Sequence, residues 1–577
     1  MRRRSRPMPI PPSARAVALA TAALLAGGLL GPVAPALAAP TPHPSGTATP
    51  TPPPFVSPTP APIPPAPART AQPTDEPTEV PVEPPAPVPT GGELPPDESM
   101  LADAHQKIRW GDCPNRPKDP NLRCGTALVP LDHAHPDKGS IRLALLKIPA
   151  TGPHRLGSLF LNFGGPGGQG TEGLAAARHQ FIDLGESYDL IGFDPRGVGY
   201  SAPVSCGDDD LSVPPGADAA AQLAALRAYA KRCAEHSGPV LPHVGTVDVA
   251  RDLDVLRQAV GDRKLNYLGF SYGTRLGAVY AALYPRNVGR MVLDGVDTLS
   301  EPLAEQALVS AAGQQQALDN FLGWCAKQTG CVLGTNSRTA RTRLDALVRR
   351  MDAEPLVGDD GTLFTGGDVI GAIGTALYSR TAWPILAEAL NLASRDHDPS
   401  GLLQLGGGAP DPQDPDSGAV GGPVPVPADN FRAALNAVNC ADDPDRSLDK
   451  ATPQVVEREI DALEPLFERA SPLFGRTQLA TVLACYGRPA GTDFIRDIQP
   501  PKGLPRLLLV GTRGDPATPY RWTEETARRL GPSATILDYK GDGHGAYAVS
   551  RCVRAEVDTF LVEGRLPRGT RSCGANE

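Results

Sequence analysis

The stretch Gly269-Phe270-Ser271-Tyr272-Gly273 decides the fold of this 577-residue chain. The apolar run Leu265–Phe270 before the serine predicts a buried strand, and residues 274–284 after it predict a helix that Pro285 ends. Glycine on both sides of the serine allows a sharp turn from strand to helix, because a Cβ there would crowd one of the two elements. Such a turn lifts the serine hydroxyl out of the edge of a sheet. We therefore predict that Ser271 is a nucleophile.

Apolar runs alternate with helical stretches on both sides of this motif. The predicted strands are residues 141–148, 156–163, 188–193, 265–270, 288–293, 507–510 and 534–538. The predicted helix at residues 247–260 has Thr246 as its N-cap. Strands that alternate with helices predict a mostly parallel sheet with helices on both faces, and a serine turn in this setting is typical of the α/β-hydrolase fold.

The alternation stops at residues 298–500, where the sequence is largely helical. Strand character returns after this region, so the predicted fold class is α/β, with a mainly helical cap inserted into an α/β-hydrolase core. The predicted domains are a signal peptide at residues 1–38, a Pro-rich linker at 39–104, the N-terminal part of the core at 105–297, the helical cap or lid at 298–500 and the C-terminal part of the core at 501–577.

A serine nucleophile needs a base and an acid, which follow it in the chain order serine, acid, histidine. Of the ten histidines only His544 comes after the last predicted strand, in a glycine-rich loop. Asp515 ends the preceding strand and is the predicted acid, which orients the imidazole and stabilises its charged form. Asp294 also follows a strand and is the alternative acid.

Two backbone amides are predicted to stabilise the oxyanion. One belongs to Tyr272, directly after the nucleophile, and the other to Gly164 or Gly165 in Gly164-Gly165-Pro166-Gly167-Gly168. Glycine lets the backbone approach a substrate closely, and Pro166 stiffens the loop. A nucleotide-phosphate loop is the competing interpretation, but no Lys-Ser/Thr pair follows these glycines.

The N-terminal segment predicts export. Four arginines within the first six residues precede an apolar run at residues 14–30, and Ala36-Leu37-Ala38 supplies the small residues of a cleavage site. The run is short for a membrane span, which needs roughly 20 apolar residues, so no integral membrane anchor is expected. The net charge of -9 gives no basic face for nucleic acid. We expect a secreted protein, with cell-wall association as an alternative.

Ten cysteines in an exported chain favour disulfides. Pairing between sequence neighbours is the simplest arrangement, although the sequence alone leaves the connectivity open. The neighbouring couples are Cys113 with Cys124, Cys206 with Cys233, Cys325 with Cys331, Cys440 with Cys485, and Cys552 with Cys573. Metal-binding Cys-x-x-Cys or His-x-Cys spacing does not occur, so we expect no metal site. We expect no organic cofactor either, because the serine chemistry predicted above needs none.

Three motifs together resemble a known family. They are Asn162-Phe163-Gly164-Gly165-Pro166-Gly167-Gly168, Gly192-Phe193-Asp194-Pro195-Arg196-Gly197-Val198-Gly199-Tyr200-Ser201 and the serine motif. The combination resembles the secreted tripeptidyl aminopeptidases, relatives of the proline iminopeptidases within the α/β-hydrolases. The stretch around Asp515 and His544 resembles their TAP-like C-terminal domain. Proline iminopeptidases usually have His where this chain has Phe163, which favours the tripeptidyl branch.

The resemblance implies a serine exopeptidase that releases short peptides, tripeptides above all, from free N-termini through an acyl-enzyme. A peptide with a free N-terminus is then the expected partner, and its ammonium group needs a carboxylate, because burying that charge alone is costly. The candidate carboxylates are Asp442, Asp443 and Glu301. Two alternatives stay open: a secreted carboxylesterase or lipase-like serine hydrolase, and a catalytically inactive, cell-wall-associated binding protein on a hydrolase scaffold.

Overall fold

The structure, a computed structural model, describes the chain from residue 106 onward with short gaps. The described residues are 106–114, 116, 119–207, 217–357, 361, 363–406, 425–489, 491–567 and 571–575. The predicted signal peptide at residues 1–38 and the predicted linker at residues 39–104 lie outside these residues. Among the described helices, none has the length and apolar character that crossing a bilayer requires.

A single sheet of nine strands organises the fold. The strands in the described part of the chain are β1 (Arg123–Pro130), β2 (Ser140–Ile148), β3 (Ser158–Asn162), β4 (Asp189–Phe193), β5 (Leu265–Phe270), β6 (Val288–Asp294), β7 (Leu356–Val357), β8 (Leu363–Phe364), β9 (Leu507–Gly514), β10 (Ala534–Asp542) and β11 (Arg571–Cys573). The order in the sheet is β1-β2-β4-β3-β5-β6-β9-β10-β11, and β7 and β8 form a separate hairpin.

Most neighbouring strands of this sheet run parallel, as predicted. The pairs from β4 through β3, β5, β6, β9 and β10 to β11 are all parallel. At one edge, β1 pairs antiparallel with β2 and β2 pairs antiparallel with β4. The antiparallel edge was not predicted, because β1 was not recognised as a strand.

Helices connect the strands and cover the sheet. Those of the core are α1 (Gly170–Ala177), α2 (Ile182–Ser187), α3 (Ala219–Ser237), α4 (Thr246–Ala259), α5 (Tyr272–Leu283), α14 (Tyr520–Leu530) and α15 (Arg551–Glu563). Those between β6 and β9 are α6 (Leu303–Cys325), α7 (Ser337–Ala353), α8 (Gly366–Leu377), α9 (Trp383–Arg395), α10 (Ser400–Gly406), α11 (Asn430–Ala441), α12 (Pro453–Ala470) and α13 (Gly475–Leu483). The second group lies within the predicted cap at residues 298–500, and we refer to it as the cap.

Alternating side chains of the central strands create two hydrophobic cores. In β3, Phe160 packs into the core that α4 and α5 cover, whereas Leu159 and Leu161 pack into the opposite core with α1 and α15. All five residues of β3 are buried. A strand buried on both faces forms one continuous apolar run, and this is the signal by which the sequence predicts it.

The cap has a hydrophobic core of its own. Phe321 of α6, Leu344 of α7 and Trp383 of α9 meet in this core and are almost completely buried. The cap is therefore a packed structural layer in its own right.

The five disulfides join the predicted neighbours. Cys113 pairs with Cys124, Cys206 with Cys233, Cys325 with Cys331, Cys440 with Cys485, and Cys552 with Cys573, and no cysteine is free. A disulfide of this kind typically contributes about 2–4 kcal/mol to stability. Cys440–Cys485 ties the end of α11 to the end of α13 within the cap.

The predicted capping role of Thr246 is wrong. Gly245 holds the N-cap position of α4, and Thr246 is the first helical residue. The Thr246 amide donates to Oδ1 of Asp442 over 2.9 Å, and its hydroxyl bonds the Tyr272 hydroxyl over 2.7 Å and donates to Asp442. A carboxylate from the inserted helical region therefore accepts the first amide of α4, which has no partner within the helix.

Candidate active site

The nucleophile turn joins β5 to α5 through Ser271. Its backbone angles, φ 57° and ψ -130°, are rare for a residue with a side chain. A Cβ at Gly269 would lie 2.5 Å from the Gly273 carbonyl oxygen, and one at Gly273 would lie 2.6 Å from Oδ1 of Asn162. Both positions therefore require glycine, as the sequence predicts.

The predicted base and acid form a hydrogen-bonded pair. Nδ1 of His544 lies 2.8 Å from Oδ1 of Asp515, and the two side chains are 3% and 0% exposed. The backbone amides of Ala517 and Thr518 donate to the same oxygen of Asp515 over 2.9 and 2.8 Å, and that of Gly545 donates to Oδ2 over 3.2 Å. Because Nδ1–H donates to the carboxylate, Nε2 is the nitrogen left to accept the proton of a serine.

Asp294, the alternative acid, connects the nucleophile turn to the histidine loop. Its backbone carbonyl accepts the Ser271 amide over 3.0 Å. Its carboxylate is fully buried and accepts the amides of Ala546 and Tyr547 over 3.0 and 2.8 Å. Burial raises the pKa of this carboxyl to about 6. Of the two candidate acids, Asp515 is the one hydrogen-bonded to the imidazole.

The Ser271 hydroxyl makes no hydrogen bond to His544 within the described residues. The two segments nevertheless meet at the end of β6, since a Cβ on Gly295 would lie 3.4 Å from Cε1 of His544. Nucleophile–base hydrogen bonds are often long in enzymes without substrate and shorten when substrate binds.

The glycine-rich loop after β3 lies against the nucleophile turn. A Cβ on Gly164 would lie 2.8 Å from Cβ of Ser271 and 3.3 Å from the amide nitrogen of Tyr272. The Gly164 amide itself donates to Oδ1 of Asn162 over 3.0 Å. Of the two glycine amides predicted for the oxyanion hole, that of Gly165 is therefore the better candidate. The amide of Tyr272 belongs to the first turn of α5, where no helical carbonyl can accept it.

Four aromatic rings pack between the segments that carry the candidate catalytic residues. Phe163 precedes the glycine-rich loop and stacks on Phe270, which precedes the nucleophile, with ring centroids 5.9 Å apart. Phe181 stacks on Tyr547 of the histidine loop at 5.6 Å and also contacts Phe270. Phe163 is 4% exposed, so it occupies an apolar position that would suit a charged ring poorly.

The three candidate carboxylates for the substrate amine line one small open cavity, together with Arg275 and Arg496. Burial raises the pKa of the side chains of Glu301, Asp442 and Asp443. The structure thus brings together residues that lie far apart in the sequence.

Each of these carboxylates already has protein partners. Glu301 accepts the indole N–H of Trp522 over 2.6 Å and pairs with Arg521. Asp443 pairs with Arg446 over 3.0 Å. Asp442 accepts hydrogen bonds from the amide and the hydroxyl of Thr246 and lies 3.9 Å from a nitrogen of Arg275, so it joins the cap to the core.

Comparisons with known proteins identify the family. The profile of the TAP-like protein family matches residues 471–573, and that of the α/β-hydrolase fold matches residues 159–388. A tripeptidyl aminopeptidase of Streptomyces lividans is 34% identical over 494 residues, covering 82% of this chain and 87% of that relative. The chain belongs to the tripeptidyl aminopeptidase family of α/β-hydrolases. The serine protease Hip1 of Mycobacterium tuberculosis is 33% identical over 504 residues, and carboxylesterase B of the same species is 32% identical over 470 residues.

These two relatives also align over most of their length. The alignments cover 81% of this chain and 91% of Hip1, and 78% of this chain and 86% of the carboxylesterase. As a member of the tripeptidyl aminopeptidase family, the protein is a serine hydrolase, which disfavours the interpretation as an inactive binding scaffold. Among the described residues, no group of His, Cys, Asp and Glu side chains could hold a metal ion.

The sequence alone did not reveal three contacts around the candidate triad. Asp294 was considered only as an acid, whereas its carboxylate holds the backbone after His544. Thr518 lies with its hydroxyl 3.4 Å from Nδ1 of His544. Tyr378 of the cap places its ring edge-on to the imidazole, with centroids 5.0 Å apart. The position of Thr518 three residues after Asp515 is the one signal that could have indicated such a contact.

We expect Asp515→Asn to lower kcat/KM by about 10⁴-fold, because the amide no longer fixes the imidazole tautomer. Burial lowers the pKa of His544, but the charge and hydrogen bond of Asp515 outweigh it and hold the pKa above that of an ordinary histidine. Only the neutral imidazole accepts the serine proton, so activity falls as pH drops through this pKa. Asp515→Asn should move this acid limb of the pH–rate profile to lower pH. An acid limb that stays at the wild-type pH would show that Asp515 is not the acid that stabilises the charged imidazole.

Proposed function

We propose that this protein is an exported serine exopeptidase that releases short peptides, tripeptides above all, from free N-termini through an acyl-enzyme. The observation that carries the proposal is the buried His544–Asp515 pair beside the Ser271 turn, in a chain 34% identical to a tripeptidyl aminopeptidase. Five disulfides among the described residues suit an oxidising, extracellular environment and support export.

The proposed reaction proceeds in two halves. Ser271 Oγ attacks the scissile carbonyl while Nε2 of His544 accepts its proton, and Asp515 stabilises the imidazolium. The amides of Tyr272 and Gly165 stabilise the oxyanion of the tetrahedral intermediate, which collapses as His544 protonates the leaving amine. A water molecule, deprotonated by the same imidazole, then hydrolyses the acyl-Ser271 ester and restores the enzyme.

Recognition of the substrate ammonium group is proposed for the cavity lined by Glu301, Asp442 and Asp443. With Arg275 and Arg496, its charged lining carries one more negative than positive group. Arg275 comes four residues after Ser271, about 6 Å further along α5. Extended chain spans roughly 3.3–3.6 Å per residue, so about two residues cover a distance of this order. This spacing supports release of short peptides.

The substrate class is tested by three chromogenic substrates in parallel: a tripeptide p-nitroanilide, its N-acetylated form and a p-nitrophenyl ester. We expect the free tripeptide to be cleaved with a kcat/KM at least about 10-fold above that of the acetylated form, since the lost ion pair contributes about 1.5–3 kcal/mol. Equal or faster cleavage of the blocked peptide would contradict the exopeptidase proposal.

Variants of the cavity test where the ammonium group binds. Glu301→Gln and Asp443→Asn should raise KM for the free tripeptide by about 10- to 100-fold, with kcat and the KM of the acetylated form unchanged. Glu305→Gln is the matched control, because Glu305 also approaches Arg521 but is half exposed and does not line the cavity. An unchanged KM in both variants would exclude Glu301 and Asp443 as the residues that bind the ammonium group.

A carboxylesterase is the second candidate function. It is favoured by the 32% identity to carboxylesterase B over 86% of that relative. The triad and oxyanion amides serve an ester as well as an amide, because both pass through a tetrahedral oxyanion. The result that would select this function is a preference for the ester over both peptides, with KM unchanged in the cavity variants.

A further inference from the structure

The cap contacts the histidine loop directly. The His544 amide donates to the Tyr378 carbonyl over 2.8 Å, and Ser379 forms an antiparallel bridge with Gly543. The Tyr378 ring lies edge-on to the imidazole. Tyr378 and Ser379 follow α8, so these contacts come from the middle of the inserted helical region.

A second set of cap contacts binds Asp542, two positions before His544. Nδ2 of Asn320, on α6, donates to Oδ1 of Asp542 over 2.8 Å. Nε of Arg380 lies 3.8 Å from Oδ2 of the same carboxylate. Asp542 is thus bound from two different parts of the cap.

The guanidinium of Arg380 is itself held in place. It lies 3.9 Å from the centre of the Trp383 ring and 5.1 Å from that of Trp324, both within the cap. Aromatic faces attract a guanidinium group and restrict its rotation. Desolvation between these rings lowers the pKa of Arg380, and the charge of Asp542 opposes this shift. The arginine can therefore act as a pre-positioned cation beside Asp542.

The core holds the other half of the same loop. Gly545 donates to Asp515, and Ala546 and Tyr547 donate to Asp294. The cap contacts reach as far as His544, but the core also holds the segment before it. Asp542 is the last residue of β10 and pairs with Gly514 of β9, whose carbonyl accepts the Gly543 amide over 3.3 Å. The segment that carries the His544 imidazole is therefore held by contacts from both the cap and the core.

We propose that Asn320 and Arg380 are positioning residues of the cap, which act through Asp542 to set the position of the His544 imidazole. This inference rests on the proposed role of His544 as the base. It extends that role, because the cap then completes the catalytic site as well as covering it. A displacement of about 1 Å in a catalytic group can cost roughly 100-fold in rate. Loss of the two cap contacts to Asp542 should therefore lower turnover without loss of substrate affinity.

The double variant Asn320→Ala/Arg380→Ala tests the proposal. A p-nitrophenyl ester serves as the substrate, since its hydrolysis requires the triad whatever peptide specificity the enzyme has. We expect kcat to fall by about 10- to 100-fold while KM changes less than about twofold. Arg380→Lys keeps a cation beside Asp542 and should retain more of the wild-type kcat than Arg380→Ala. Wild-type kcat in the double variant would overturn the proposal.

The matched control is Arg341→Ala. Arg341 pairs with Asp319, next to Asn320 on the same helix, and its side chain is 42% exposed against 41% for Arg380. Arg341→Ala should leave kcat unchanged. An equal fall of kcat in Arg341→Ala and in the double variant would show that any damage to the cap has this effect. If circular dichroism shows that the double variant does not fold, the single variant Asn320→Ala serves as the test. An unchanged kcat in Asn320→Ala would then overturn the proposal.

The His544→Ala background separates this proposal from the role of the base. There, adding Asn320→Ala/Arg380→Ala should cause no further loss of residual ester hydrolysis, because the group they position is gone. A further 10-fold loss would show that they act by another route and would overturn the positioning proposal alone. Near-wild-type activity of His544→Ala itself would instead reject the catalytic role of the histidine.

Discussion

Replacing Ser271 with alanine is expected to lower kcat/KM by about 10⁶-fold and to abolish labelling by a fluorophosphonate. Loss of a serine nucleophile has an effect of this size because the base and acid then have no group to activate. The residual rate comes from the oxyanion amides and substrate binding. Steady-state kinetics and gel detection of the label provide the two measurements.

The fold should survive this substitution. Ser271 adopts positive φ, and alanine keeps the same Cβ and therefore the same backbone cost. The thermal midpoint of Ser271→Ala should stay close to that of the wild type, which separates loss of chemistry from loss of structure. Persistent labelling of a folded Ser271→Ala protein would place the nucleophile at another residue.

Replacing His544 with alanine should also lower turnover by about 10⁶-fold, since serine and histidine act as one unit. The loss should appear in kcat, because the imidazole acts on the reacting atoms and contributes little to ground-state binding. His154→Ala is the control, as His154 is an exposed histidine in the loop before β3. A rate within tenfold of the wild type in His544→Ala would exclude it as the base.

The sequence predicted the central strands well because their signal is local. β5 has the predicted bounds, residues 265–270, and β3 lies within the predicted run 156–163. Both are short apolar runs buried on two faces, so each residue contributes to the pattern. In β1, by contrast, only Ala127 and Val129 are fully buried, and the strand lies at the sheet edge. Its weak apolar signal explains why it was missed.

The candidate triad was also accessible from the sequence, because each member follows a strand or lies in a glycine-rich loop. The supporting contacts were not. The Tyr378 carbonyl binds the His544 amide across 166 positions of sequence, and any residue type could supply that carbonyl. Asp442 was predicted to bind substrate, but it also satisfies the first amide of α4. Only the folded chain shows which of its groups a carboxylate meets.

The most direct test of the account is a crystal structure of the enzyme after reaction with a peptidyl phosphonate. The account predicts phosphorus bonded to Oγ of Ser271, with the phosphonyl oxygen within hydrogen-bond distance of the Tyr272 and Gly165 amides and Nε2 of His544 beside the adduct. Phosphorus on any other residue, or an imidazole of His544 that cannot reach the adduct, would contradict it.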